Sequence, residues 1–216
     1  MVSTIAAGLD TAYRVNSSAI VVLERSGKKL RIKRVREWVP SEGPLRPSTV
    51  LKEAVTIARN ARAKLVCTDY WDIDHVAEAL EDTGLELVPF TVKPEEVYQE
   101  HAKLRYMLSE GLVDLSCCPP HEAELIPRMI RQFLAVTIKP GDGGVIKVIQ
   151  PVKSGAHGDI VSAFMHAFYA LDFASASGQD GLTSGGERRY ARADTDPRES
   201  MSMTESEYLD RDPDRD

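Results

Sequence analysis

Residues 3–39 read STIAAGLDTAYRVNSSAIVVLERSGKKLRIKRVREWV, and their patterning predicts the first part of a β-sheet. It begins with the short apolar run STIAAGLD, which is typical of a buried strand ending at Asp10. A polar turn leads into the β-branched run SSAIVVLE, and the turn SGK leads into the alternating run KLRIKRVREWV. The pattern predicts three consecutive strands arranged as an antiparallel meander.

Helical and strand-like runs alternate after this meander. Helical spacing marks PSTVLKEAVTIARNARA, for which Ser48 or Thr49 is the expected N-cap, and then DHVAEALEDTG, KPEEVYQEHAKLRYMLSEG and PHEAELIPRMIRQFLAV. The short apolar runs KLVCTD and LELVPF are expected strands, and the glycine-rich VTIKPGDGGVIKVIQPV is an expected hairpin. This order predicts an α/β fold with a central mixed β-sheet, flanking helices and a late β-hairpin.

The chain has 216 residues, 43% of them hydrophobic, which suffices for one domain with a substantial core. We expect this domain over residues 1–175. Residues 176–216 are expected to form a disordered acidic tail, because they are too polar to bury a core of their own. The tail holds 11 acidic and 6 basic residues and so carries most of the net charge of −6.

Composition also argues against several classes of protein. No apolar run reaches the roughly 18 residues of a transmembrane helix, and the N-terminus MVSTIAAGLD lacks the basic region of a signal peptide. The three cysteines fit neither a zinc site nor a CxxC motif. We therefore expect a reduced, cytoplasmic protein without a membrane partner.

Two of the expected strands end in aspartates, Asp10 and Asp69, and Asp159 begins the apolar run DIVSAFMHAFYAL. Each has an ordinary alternative role, since aspartate is common in turns and at helix N-caps. Carboxylates at the ends of adjacent strands, however, point into one crevice. Two carboxylates about 4 Å apart repel by roughly 4 kcal/mol at an effective dielectric near 20, so a cluster needs protons or divalent cations. The pattern favours Mg²⁺ or Mn²⁺, and two such ions can activate a water and stabilise the leaving oxygen of a phosphodiester.

The order of these elements resembles the nuclease domain of phage large terminases, which has the ribonuclease H-like fold. The resemblance covers roughly residues 4–175. It rests on AGLDTAYRVNSSAIVVLE, on LVCTDYWD, and on the hairpin GGVIKVIQP followed by HGDIVSAFMHAFYAL. The family commonly has a His-Asp-Asp motif in this last place. Gly158 stands where the first of the two acids is often found, which leaves Asp159 as the candidate from that pair.

The resemblance implies a metal-dependent endonuclease that cuts double-stranded concatemeric viral DNA during genome packaging, by two-metal hydrolysis with Mg²⁺ or Mn²⁺. The catalytic, metal-binding acids of the family match three aspartates of this chain: Asp10, Asp69 and Asp159. Asp72 is a further candidate for the second metal ion, although Asp72 and Asp74 are better interpreted as caps of the helix beginning near Ile73. His157 is expected either to orient a water or phosphate or to make only a turn hydrogen bond.

Basic residues crowd the second and third strands. The expected DNA-binding side chains are those of the third strand and the hairpin: Lys29, Arg31, Lys33, Lys139 and Lys147. Lys29, Arg31 and Lys33 share one strand face, for which simple solvation is an equal alternative. Contacts of this kind to phosphates would be independent of sequence and sensitive to salt.

The partners implied by the resemblance are double-stranded DNA and an ATPase motor. Because the chain has no GxxxxGK[ST] phosphate loop, the motor is expected on another chain or on a missing segment. The small terminase, the portal or the capsid is expected to bind the tail. Two alternatives stay open: a Holliday-junction resolvase of the ribonuclease H-like class, and a catalytically silent packaging or capsid-docking module.

Overall fold

The computed structural model describes residues 3–14, 16–41, 43–91, 93–116, 119–140, 146–149 and 158–176. Two expectations, the structure of residues 177–216 and the turn of the late hairpin, lie outside these ranges. The described strands are β1 (Ser3–Asp10), β2 (Ser18–Ser26), β3 (Lys29–Trp38), β4 (Leu65–Thr68), β5 (Glu86–Pro89), β6 (Val113–Asp114), β7 (Thr137–Pro140) and β8 (Ile146–Ile149). The described helices are α1 (Pro47–Asn60), α2 (Ile73–Leu80), α3 (Pro94–Ser109), α4 (Leu125–Ala135) and α5 (Asp159–Ala176).

One mixed sheet organises the chain, with the strand order β5-β4-β1-β2-β3-β6. Strands β1, β2 and β3 pair antiparallel in succession, which confirms the predicted meander. Strand β4 pairs parallel with both β1 and β5, while β6 adds a short parallel edge to β3. Strands β7 and β8 form a separate antiparallel hairpin. The expected mixed sheet with a late hairpin is confirmed, whereas β6 was not predicted.

Helices cover the two faces of this sheet. On one face, α1 and α2 pack over Ala7 and Leu9 of β1. On the other face, α5 packs over Ala6. The contact at Gly8 is so close that a Cβ atom there would lie 1.9 Å from the carbonyl oxygen of Ala163. Helix α5 therefore rests directly on the backbone of β1, which fixes the start of the helix relative to the end of the strand.

The start of α1 differs from the prediction. Arg46 occupies the N-cap position and Pro47 opens the helix, so Ser48 and Thr49 already lie inside the first turn. The predicted N-cap at Ser48 or Thr49 is wrong because proline, with its fixed φ and no N–H to satisfy, is well suited to the first helical position.

Helix α5 is the most apolar helix of the fold and has 18 residues, most of them buried. Helices of this length invite the question of a membrane span. In the part of the chain that the structure describes, none of the helices is long and apolar enough to cross a bilayer. The apolar surface of α5 is instead used against the sheet.

Candidate functional site

Asp10 and Asp69 lie side by side at the carboxyl ends of two parallel strands. The last residues paired between β1 and β4 are Leu9 and Thr68, and each aspartate comes directly after its member of that pair. Side chains alternate between faces along a strand. Because Ala6 of β1, and Leu65 and Cys67 of β4, pack in the core against α5, Asp10 and Asp69 point to the α5 face as well.

Asp159 completes the group from the first turn of α5. Its charge raises the pKa of Asp10, and so does the charge of Asp69, which places both carboxylates within electrostatic range of Asp10. The alternative role of Asp159 as an N-cap is not what the backbone shows. The N–H of Ser162 donates to the carbonyl of Gly158 at 2.8 Å, so Gly158 holds the N-cap position and Asp159 lies one residue inside the helix.

Burial and neighbouring negative charge raise the pKa values of Asp10 and Asp69. Burial, then Asp159, then Asp69 raise the pKa of Asp10 from 3.8 to about 7, against a lowering contribution from a hydrogen bond with Ser162. Burial also raises the pKa of Asp69, partly offset by the backbone N–H groups of Asp72 and Trp71. Among the described residues, the buried Oδ1 of Asp69 has no hydrogen-bond partner.

These observations bear on whether the group suits a divalent cation. The donors are hard, anionic oxygens, and an unpartnered buried oxygen beside two further carboxylates is the kind of environment that Mg²⁺ or Mn²⁺ neutralises. As they stand, the described His, Cys, Asp and Glu side chains include no group of three converged on one point. Like charges with no cation between them are expected to turn apart. The donor chemistry therefore fits, and ligation requires side-chain rotation.

Asp72 corrects one expectation. It occupies the N-cap position of α2, yet within the described ranges its side chain makes no capping hydrogen bond. One carboxylate oxygen accepts from the hydroxyl of Tyr13, and the other lies 2.8 Å from Nδ1 of His75. The predicted capping role is wrong because both oxygens are engaged elsewhere. Asp74, the other expected cap, is exposed in the first turn of α2.

Sequence reasoning missed a buried histidine beneath the site. His166 on α5 is 6% exposed, and its Nδ1 lies 2.8 Å from the carbonyl oxygen of Leu9. Burial lowers its pKa to about 4, so the ring is neutral at physiological pH and Nδ1–H donates to Leu9. This bond ties the middle of α5 to the residue that precedes Asp10. Nothing in the sequence connects two residues so far apart.

Glu37 has a buried carboxylate that forms an ion pair with an arginine. It lies two strands from Asp10, since Asp10 pairs with Ala19 and Ala19 pairs with Glu37. Burial raises the pKa of Glu37, and the guanidinium of Arg128, 2.8 Å from Glu37 Oε1, partly offsets this rise. The pKa of Asp10 is instead raised by the charges of Asp159 and Asp69. Among the residues that the structure describes, a positive charge of the kind that Arg128 brings to Glu37 is therefore not found beside Asp10.

The expected DNA-binding residues of β3 lie away from Asp10. Lys29 is paired with Ser26, which is paired with Ser3, so it stands at the opposite end of the sheet from Asp10. At about 3.3 Å per residue the separation is roughly 20–25 Å. Arg31 lies 3.5 Å from Asp114, and Lys33 lies 3.4 Å from Glu24. Lys139 is exposed on β7, whereas the side chain of Lys147 and all of His157 lie outside the described residues.

Comparison with known proteins gives structural matches but no sequence matches. The chain matches no family model and no curated protein. The large terminase nuclease from thermophilic phage G20c superposes with a TM-score of 0.54 at 17% identity, over 77% of this chain and 82% of that one. The nuclease domain of the large terminase subunit gp2 of bacterial virus Sf6 gives 0.56 at 12% identity, over 76% and 87%.

The HK97 bacteriophage large terminase gives a TM-score of 0.62 at 16% identity, over 78% of this chain. The match spans only 39% of that terminase. At identities of this level the matches show a shared fold. The structural neighbours of the chain are thus nuclease domains of phage large terminases, and the chain has their ribonuclease H-like fold.

Proposed function

We propose that this chain is a metal-dependent endonuclease of the terminase type, with Asp10, Asp69 and Asp159 as its catalytic metal ligands. One observation carries the proposal. Burial, Asp159 on α5 and Asp69 after the neighbouring strand β4 together raise the pKa of Asp10 to about 7, at the carboxyl ends of two adjacent parallel strands. Perturbed carboxylates that share a cleft are typical of functional sites.

Each part of the site has a distinct role in this proposal. The three aspartates supply the hard oxygen donors that Mg²⁺ or Mn²⁺ prefers. Two such ions, when bound, supply activation of a water and stabilisation of the leaving oxygen of a phosphodiester. The contact at Gly8 and the bond from His166 to Leu9 hold α5 against β1, so Asp159 keeps its place beside Asp10. Asp72 is proposed as a further ligand for the second ion, in competition with its contacts to Tyr13 and His75.

The proposed substrate is double-stranded, concatemeric viral DNA, cut during genome packaging in the host cytoplasm. The proposed phosphate contacts are basic residues of β3 and the hairpin region: Lys29, Arg31, Lys33, Lys139, Lys147 and His157. Since Lys29 lies far from Asp10, contacts on β3 would bind the flank of a duplex, not the scissile phosphate. The ATPase motor is proposed to lie on another chain or segment. Residues 176–216 are proposed to contact the small terminase, the portal or the capsid.

Substituting Asp159 by asparagine tests the proposal, because the asparagine side chain has the same size and shape as that of aspartate but its neutral amide is a poor ligand for a hard divalent cation. We expect plasmid nicking in Mn²⁺ to slow by a factor on the order of a thousand, which is about 4 kcal/mol of lost transition-state stabilisation. Asp74→Asn, which removes an exposed acid from α2, is the matched control and should cut like the wild type.

Three results would contradict parts of this proposal. Asp159→Asn protein that nicks plasmid at the wild-type rate would exclude Asp159 as a ligand. Folded wild-type protein that cuts neither linear duplex nor plasmid in Mn²⁺ would favour the silent docking module. Cleavage confined to four-way junctions would favour the resolvase.

A further inference from the structure

Two large aromatic side chains lie exposed directly after Asp69. Trp71 is 86% exposed and Tyr70 is 55% exposed. The other tryptophan of the chain, Trp38, is 8% exposed and donates from its indole nitrogen to Glu53 at 2.8 Å. Trp38 shows the usual behaviour of tryptophan, an apolar body in the core with its N–H partnered. Trp71 instead presents nearly its whole ring to solvent, beside a carboxylate of the candidate site.

The loop that carries Trp71 is held on both sides. The backbone N–H groups of Asp72 and Trp71 lie close enough to the carboxylate of Asp69 to lower its pKa. Asp72 in turn accepts from Tyr13 and contacts His75 in the first turn of α2. The backbone at Trp71 is therefore anchored to the site itself. A ring presented from an anchored loop loses little conformational entropy when it binds a ligand.

We propose that Trp71 is a DNA-binding residue that stacks against a nucleotide flanking the phosphodiester cut at the three aspartates. This rests on the proposed endonuclease function. Trp71 lies two residues after Asp69 and its backbone N–H lowers the pKa of that carboxyl, so a DNA strand that brings a phosphate to Asp69 passes close to the residue that carries the indole ring. The basic residues of β3 cannot fill this role, because Lys29 lies at the opposite end of the sheet.

The chemistry of an aromatic ring suits this position. In a duplex the π face of a base becomes accessible where a base step opens, and an aromatic ring that enters the opened step holds the strand without selecting a sequence. A second carboxylate-rich contact would repel the phosphates, and a basic residue there would form an ion pair with Asp69. An exposed indole can add affinity for DNA next to an acidic site, because it neither repels the phosphates nor forms an ion pair with Asp69. The ligand class is therefore a nucleic acid strand, bound through its bases.

Tryptophan fluorescence tests the contact directly. In EDTA, where no metal-dependent cutting occurs, the emission of Trp71 is the difference between wild-type protein and Trp71→Phe. We expect acrylamide to quench this emission in the free protein, as the 86% exposure requires. Adding a blunt duplex of mixed sequence should quench the emission of Trp71 directly. The duplex should also protect the emission that remains from quenching by acrylamide.

Binding and cleavage give the second readout. We expect Trp71→Ala to raise the Kd for the duplex by roughly 5- to 100-fold, as loss of one stacked base does. Trp71→Phe should recover most of the affinity, and saturating DNA should restore kcat in both variants. Tyr106→Ala, which removes an exposed aromatic from α3, is the matched control and should leave Kd unchanged. The Tm of Trp71→Ala should equal that of the wild type, because the ring is exposed.

The outcomes separate this proposal from the endonuclease function. Duplex that quenches Trp71 in a protein unable to cut DNA supports the contact while removing the nuclease. Protein that cuts DNA with a Kd unaffected by Trp71→Ala overturns the contact while keeping the nuclease. Emission of Trp71 that resists acrylamide in the free protein also overturns the contact, because the ring is then covered by protein.

Discussion

Replacing Asp10 by asparagine tests whether the three carboxylates share one electrostatic site. Burial, Asp159 and Asp69 raise the pKa of Asp10 from 3.8 to about 7. The folded protein therefore keeps a proton on Asp10 at pH values where the unfolded chain has released it. At about 1.4 kcal/mol per pKa unit, ionising Asp10 costs the folded protein up to about 4 kcal/mol. Solvent reaches part of this residue and screens its charge, which makes that figure the upper limit.

The sign follows from the state that holds the proton. Below pH 3.8 Asp10 is protonated in both states, and the full stability is present. Stability falls as the pH rises from 3.8 toward 7, and the loss is complete above pH 7. Asparagine cannot ionise, so Asp10→Asn lacks this loss. Near pH 3.8 we expect the variant and the wild type to have the same free energy of unfolding. Above pH 7 we expect the variant to be more stable by about 2–4 kcal/mol.

Urea denaturation in EDTA across this pH range, followed by circular dichroism, measures the free energy of unfolding. Asp74→Asn removes an exposed carboxylate and should keep the pH dependence of the wild type. Saturating Mn²⁺, at a hundredfold excess over its Kd, should stabilise the wild type by about 2.7 kcal/mol and Asp10→Asn by less. The reasoning is refuted if the difference between Asp10→Asn and wild type does not change with pH, or if both respond equally to Mn²⁺.

Other changes test the basic strand, the tail and the helix contact. Replacing Lys29, Arg31 and Lys33 of β3 together by glutamine should reduce the slope of log affinity for DNA against log salt concentration by roughly 2–3 units. Fluorescence anisotropy measures this slope, and an unchanged slope would mean that this face of β3 is only solvated. Truncation after Ser175 should leave the calorimetric Tm unchanged, and a fall of several degrees would contradict the proposed tail. Gly8→Ala should lower the free energy of unfolding by about 1–3 kcal/mol or more and suppress cleavage, because the new methyl group would clash with the carbonyl oxygen of Ala163. If the variant keeps the Tm and the activity of the wild type, α5 does not rest on this contact.

Local patterns carried the prediction of the sheet. The apolar run before Asp10, the β-branched run of β2 and the alternation of β3 each identify a strand from its own residues, and short turns make antiparallel neighbours of them. Strand β6 has only two residues, and it exists because Val113 meets Leu30 in a parallel pair. A strand that short has no pattern of its own, so its pairing is visible only in the folded chain.

The aspartates could be predicted for a related reason, whereas their surroundings could not. Asp10 and Asp69 each end a recognisable apolar strand, and the ends of adjacent strands meet. The role of Asp72 depends on Tyr13, which is 59 residues away in the sequence. His166 likewise depends on the carbonyl of Leu9. Hydrogen bonds between distant residues follow from tertiary packing, which no local pattern encodes.

The contact between α5 and β1 links the stability of the fold to the chemistry of the site. Because Gly8 has no side chain, α5 approaches the β1 backbone closely, and the helix starts with Asp159 near Asp10. The same approach excludes water and leaves Asp10 beside two like charges, which raises its pKa. A protein that only needed to fold would gain by replacing one of these acids with a neutral residue. In the proposed function a divalent cation bound by the folded protein would neutralise these acids, and its binding to the native state would offset the cost of folding the empty site.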